Sequence, residues 1–149
     1  MQKLTRRAFL SGLFAMQLFF VGCGGESVPT AAVEGTVKLD GKPLDRILVE
    51  FWPDAGGPRS MGETDAAGKF KLASEDGKGK GAVVGSHKVV LKDTAALGDK
   101  FLGREGEEVD MSKGKKPRIS GKFASQDASP FNKKVEAGKT NQFDFDVTK

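Results

Sequence analysis

Apolar and polar side chains alternate in several short stretches of the chain after residue 32. The period is two, and it recurs in the segments 33–39, 46–52, 69–73, 83–93 and 143–147, with a weaker version at 59–64. A period of two is typical of strands with one buried face. Turn-forming residues separate these stretches, and no helical period is present. The pattern predicts an all-β protein, an antiparallel β-sandwich of six or seven strands.

The pattern also predicts how individual strands are used. Residues 132–136 lie just before a Gly-containing turn and the last strand, so we expect them to form a hairpin with that strand. The face shared by Val89 and Leu91 includes His87, whereas Leu48 and Trp52 fall on an outward face. The segment 94–129 breaks the strand rhythm, and we interpret it as a mobile insertion whose part 119–123 lies along the sandwich.

The first 22 residues have the pattern of an export signal. Three basic residues precede an apolar run, 8–21, that is too short to cross a bilayer as a helix. Arg6 and Arg7, followed by Phe9 and Leu10, resemble the twin-arginine export motif. A general secretory signal with adjacent arginines is the alternative.

The apolar run ends in a sequence that resembles the lipobox of bacterial lipoproteins, Phe20-Val21-Gly22-Cys23. In that motif the signal is cleaved between Gly22 and Cys23, and the Cys thiol receives diacylglycerol. The alternative is a buried cysteine in a membrane helix, which the short run disfavours. We therefore expect a signal peptide at 1–22 and a lipidated flexible tether at 23–32, with the domain at 33–149. The localisation would be the cell envelope, anchored to an inner or outer membrane.

Charge and cysteine content fit this interpretation. Three of the 24 Lys and Arg residues lie in the signal, whereas all 20 acidic residues follow it, so the remainder is nearly neutral. Such a domain lacks the basic stripe of a nucleic-acid-binding protein, and we exclude that class of partner. Cys23 is the chain's one cysteine, so no intramolecular disulfide forms and lipid attachment explains it.

Four short motifs after residue 32 resemble the carboxypeptidase regulatory-like family. They are Val-Glu-Gly-Thr-Val at 33–37, Asp-Gly-Lys-Pro-Leu at 40–44, Val-Glu-Phe-Trp-Pro at 49–53 and Thr-Asp-Ala-Ala-Gly-Lys-Phe at 64–70. The resemblance covers about 33–93, with a weaker echo at 119–147, and His87 stands where the family has an aromatic residue. It implies a transthyretin-like sandwich, and many members are short bacterial lipoproteins. These are turn and core motifs, so they imply little about activity.

No chemical motif stands out in the sequence. His87 has no second histidine or carboxylate pair at ligand spacing, and Asp65 lies in a turn rather than a full calcium loop. We expect no catalytic residue, no metal and no cofactor. Leu48 and Trp52 form a possible platform for an envelope protein or a polysaccharide. The function hypotheses are a non-catalytic binding or structural module, a small-ligand or polysaccharide carrier and, least favoured, a hydrolase.

Overall fold

The computed structural model describes residues 28–77, 79–96 and 115–149. The predicted signal, with Arg6, Arg7, Phe9 and Leu10, and the lipobox residues Gly22 and Cys23 lie outside the described residues. So does the middle of the predicted insertion. The strands are β1 (Thr30–Ala31), β2 (Val33–Leu39), β3 (Lys42–Pro43), β4 (Ile47–Pro53), β5 (Ser60–Glu63), β6 (Lys69–Lys71), β7 (Ala73–Ser74), β8 (Ala82–Val83), β9 (Gly85–Asp93), β10 (Asn132–Val135) and β11 (Asn141–Val147).

These strands form an all-β sandwich, as the alternation predicts. One sheet has the order β10-β9-β4-β5-β7, and the other has β11-β2-β3, with β6 also paired to β2. All pairs are antiparallel except β11 with β2, which is parallel. Two short 3-10 turns, Thr94–Ala96 and Gly121–Ala124, are the helical elements among the described residues.

The core lies between the two sheets and is largely aromatic. Phe51, Phe70 and Phe145 are almost fully buried, and their rings contact one another or share neighbours. Gly35 in β2 allows the neighbouring strand β11 to lie close, since a Cβ there would collide with the Phe143 carbonyl oxygen. The alternation in β2, β4 and β9 therefore sets which residues fill this core.

The predicted hairpin between residues 132–136 and the last strand is wrong. β10 pairs with β9 in one sheet, while β11 pairs with β2 in the other. The turn between them crosses the sandwich, and Asn141 holds it: its side chain accepts from the Glu136 N–H and donates to the Glu136 and Lys139 carbonyls. A Gly-containing turn thus fits a sheet-to-sheet connection as well as a hairpin.

Three predicted boundaries differ from the structure. The expected tether, 23–32, ends earlier because Thr30 and Ala31 pair with Val83 and Ala82. The single strand expected at 69–73 divides at Leu72, since β6 pairs with β2 and β7 pairs with β5. The expected insertion, 94–129, is shorter at both ends: Thr94 is buried, and Ile119 and Phe123 join the core as the sequence predicts for 119–123.

Candidate functional site

The predicted platform lies on the outer face of the five-stranded sheet. Leu48 and Trp52 both point outward and are half-buried. Glu50 lies between them on the same face, because side chains two apart on a strand share a face. Its side chain is buried, at 3 % exposure. Leu48 and Trp52 are therefore about 13 Å apart along the strand, with a carboxylate between them, and they do not form one apolar patch.

Three donors hold the Glu50 carboxylate. Lys92 Nζ lies 3.0 and 3.2 Å from its two oxygens, and the Trp52 indole N–H donates at 3.1 Å. Arg59 Nη1 donates at 3.4 Å. Strand register brings them together, since β9 pairs with β4 on one side and Arg59 precedes β5 on the other. A buried carboxylate is tolerated when charged donors satisfy it in this way.

Arg59 extends this cluster to the indole face and to a second acid. Its guanidinium carbon lies 4.9 Å from the centre of the Trp52 ring, a cation–π contact. Its Nε and Nη2 also donate to Glu75 at 2.9 and 2.8 Å. The hydrogen bonds to Glu75 raise the pKa of Arg59, burial opposes this, and the Glu50 charge adds to it. One face of the indole is therefore already covered, and the ring is fixed in orientation.

We call this set of side chains the Glu50 cluster; it comprises Glu50, Trp52, Arg59, Glu75 and Lys92. It contains two acidic and two basic side chains, so its charges balance. The Glu50 carboxylate already accepts from three donors within the protein. At the surface the cluster exposes part of the Trp52 indole beside charged groups. The sequence singled out Trp52 and Leu48 as a platform but not Arg59, Glu75 and Lys92, because cross-strand partners depend on register.

A second buried ion pair lies where β9 ends, in the same five-stranded sheet. Arg118 donates to both Asp93 carboxylate oxygens, at 3.0 and 2.8 Å, and to Asp45 Oδ1 at 2.8 Å. Burial alone would raise the pKa of Asp93, but the hydrogen bonds and charge of Arg118 outweigh it and lower that pKa. Since Asp93 precedes the segment 97–114 and Arg118 follows it, this pair ties together the two ends of that segment. The sequence carries no signal for it.

His87 lies on the inner face, as predicted. It is 1 % exposed, and its ring centre is 5.6 Å from that of Phe51. Nδ1 is 3.0 Å from the Gly85 carbonyl, so Nδ1 carries the proton of the neutral ring. Nε2 has no hydrogen-bond partner among the described residues. Burial lowers the pKa of His87; the Gly85 carbonyl and the charge of Asp54 oppose this more weakly.

Asp65 has the turn role that its sequence context predicts. Its Oδ1 accepts the backbone N–H groups of Ala67 at 2.8 Å and Lys69 at 2.9 Å. Within the ranges that the structure describes, no group of three or more His, Cys, Asp or Glu residues is placed to hold a metal ion.

A groove of about 800 Å³ runs beside β2 and β6. Charged side chains of both signs line it, among them Glu34, Asp65, Lys69 and Lys71. Lys71 and Glu34 approach across it with Nζ and Oε2 3.7 Å apart.

No family model matches the chain, and no curated protein or solved structure matches it either. In the described part of the chain, no helix has the length and apolar character needed to cross a membrane.

Proposed function

We propose that this chain is an exported envelope lipoprotein, held to a membrane by lipid on Cys23, whose β-sandwich is a non-catalytic binding or structural module. The sandwich would be of the carboxypeptidase regulatory-like type that its turn and core motifs resemble. Two or three acyl chains hold a protein on a bilayer stably, whereas one does not.

The observation that carries the proposal is how closely the described core follows Cys23 in the sequence. Among the described residues, which begin at 28, Ala31 is the first member of the buried core and Thr30 is the first residue in a strand. Both follow Cys23 by fewer than ten residues. Cleavage before Cys23 would therefore remove no member of that core. An anchored module requires a signal, a lipid-acceptor cysteine and a domain whose core survives cleavage, and the described core residues meet the last requirement.

The buried titratable groups support a non-catalytic role. Glu50 and Asp93 are each held by basic donors in ion pairs, and His87 packs against Phe51 in the core. A general base needs access to a substrate proton and a pKa near the working pH. These three side chains instead join strands or fill the core. The accessible feature for a partner, an envelope protein or a polysaccharide, is the Trp52 edge of the Glu50 cluster.

Replacing the lipid acceptor tests the anchor. In Cys23→Ala, no thiol is available for diacylglycerol, so the protein should leave the membrane fraction or stay unprocessed. Ser27→Ala, a matched small change just beyond the cysteine, should remain in the membrane pellet. Fractionation followed by immunoblotting measures both. Retention of processed Cys23→Ala in the pellet at the wild-type level would contradict the proposal.

The export route has its own test. Replacing Arg6 and Arg7 with lysine keeps both charges but removes the guanidinium groups that the twin-arginine motif requires. We expect processing of the precursor to stop, as seen by its size in pulse-labelled cells. Lys3→Arg, which leaves the pair intact, is the control. Unchanged processing of the double variant would show that the general secretory route exports the chain.

A further inference from the structure

The first described residues are fixed at one end of the sandwich. Thr30 and Ala31 pair with Val83 and Ala82, and the Pro29 carbonyl accepts from the Val84 N–H at 2.9 Å. Gly81 is required beneath this strand, because a Cβ there would collide with the Ala31 carbonyl oxygen. The chain therefore enters the fold at a defined place.

The turn between β10 and β11 lies at the same end. The backbone N–H of Asn141 donates to the Ala32 carbonyl at 2.8 Å, and its side chain holds the turn that contains Ala137. We call this the anchor end, defined by Pro29, Thr30 and Ala137. The opposite far end is defined by the turn containing Ala66, where the Val37 N–H donates to the Gly68 carbonyl.

Distances along the chain separate these two ends clearly. β2 runs from Val33 at the anchor end to Leu39, which makes the ends about 20 Å apart. Only six residue steps join Cys23 to Pro29. Fully extended they span about 20 Å, and a flexible chain of that length has a root-mean-square span of about 13 Å. The root-mean-square span of a flexible tether of this length is therefore shorter than β2.

The inverted arrangement is entropically unfavourable. Placing the far end on the membrane would lift Pro29 about 20 Å from the lipid headgroups, which requires a fully extended tether. Holding every tether residue extended costs conformational entropy at each one. With the anchor end down, the tether keeps its freedom.

The surface of the anchor end is compatible with contact with a lipid headgroup layer. Val28, next to Pro29, is 50 % exposed and is the exposed large hydrophobic residue among those described. The nearby charges are of both signs: Lys139 pairs with Glu136 at 2.7 Å. This pair adds no net attraction to anionic lipid, and we expect the tether rather than charge to set the orientation.

The geometry points to a membrane-facing surface on this protein: the anchor end lies on the phospholipid headgroups, with the strands directed away from the membrane and the far end presented to the envelope space. This inference rests on the proposed acylation of Cys23. The partner is the headgroup layer of the bilayer that holds the lipid.

The test uses the mature acylated protein, which begins at Cys23, in phosphatidylcholine vesicles. Cys23 is the chain's one cysteine and its thiol is consumed by lipid, so an added cysteine is uniquely reactive. Ala137→Cys and Ala66→Cys are matched changes of exposed alanines in turns at the two ends. Each carries a fluorescent donor, and energy transfer to headgroup-labelled lipid gives its distance from the membrane. Thermal unfolding of each variant checks that the fold is unchanged.

We expect the label at position 137 to lie closer to the lipid than the label at position 66 by about 20 Å. This difference should be the same when anionic lipid is added to the vesicles and when the salt concentration is high. Equal or reversed distances in protein whose mass includes the acyl chains would overturn the orientation and leave the anchor standing. A mass without acyl chains would overturn the anchor and the orientation with it.

A longer tether separates the tether's effect from that of direct adhesion. Inserting about twelve Gly and Ser residues after Gly25 raises the root-mean-square span to about 23 Å, comparable with the strand length. The difference between the two labels should then shrink severalfold. A difference that persists unchanged would show that something other than tether length orients the domain, and would overturn this account of it.

Discussion

The two faces of the five-stranded sheet each bury a titratable side chain, and they do so differently. On the outer face, Glu50 is held by Lys92, Arg59 and the Trp52 indole. On the inner face, His87 has one backbone partner and lies against Phe51. The outer face keeps a charge because long basic side chains reach it from neighbouring strands. Around His87 the inner face holds a ring whose pKa burial lowers, and the aromatic ring of Phe51 supplies no charged partner there.

Removing the basic partners of Glu50 should have the largest effect. Arg59→Met with Lys92→Met leaves a buried carboxylate with the indole N–H alone. Breaking a buried ion pair costs about 3 to 5 kcal/mol. Because Lys92 is partly exposed, we expect the double variant to lose about 3 kcal/mol of the free energy of unfolding. Urea unfolding measures the loss in the free energy of unfolding.

The matched control adds Glu50→Leu to the same two changes. It removes the unpaired charge and should recover most of the stability, since apolar replacements of whole buried ion pairs are often neutral. A double variant as stable as the wild type would show that Glu50 does not depend on these partners.

The smaller effect concerns His87 and acid. Its pKa is lowered in the fold from an unfolded value of about 6.5, so below that pH the unfolded state binds more protons than the folded state. The free energy of unfolding should therefore fall as the pH drops from 7 toward 5. A protonated His87 ring would lie against the Phe51 ring. The charged residues around it are Lys133, which is opposite His87 in register on β10, and Asp54.

His87→Phe should remove this pH dependence and hold or raise the melting temperature at pH 7. It replaces an unpartnered buried nitrogen by an apolar ring. Asp93, whose pKa is also lowered, loses its contribution only below its unfolded value of 3.8 and does not interfere between pH 7 and 5. An unchanged acid sensitivity in the variant would show that another group causes it.

Strand faces could be predicted from the sequence because burial alone sets them. The alternation in β2, β4, β9 and β11 put Val37, Val49, Leu91 and Phe145 in the core, where the structure has them. The turn role of Asp65 was equally accessible, because its partners Ala67 and Lys69 are local. Both features, the turn contacts of Asp65 and the alternation of apolar and polar residues, can be recognised within a few consecutive residues.

Strand partners and buried polar groups were not predictable in the same way. β10 was expected beside β11, yet it pairs with β9, and its alternation carries no information on the partner. Glu50 is buried although it shares the outward face of Leu48 and Trp52, because donors from β9 and from before β5 cover it. Arg118, 25 residues after Asp93, is a partner that only the folded chain reveals. Each of these depends on register or on long-range approach.

The central claim is that lipid on Cys23 anchors this sandwich to an envelope membrane. Mass spectrometry of the N-terminal peptide from the membrane fraction tests it most directly. The account predicts a peptide that begins at Cys23 and carries the added mass of acyl chains. A peptide that extends upstream of Gly22 with an unmodified cysteine would contradict it.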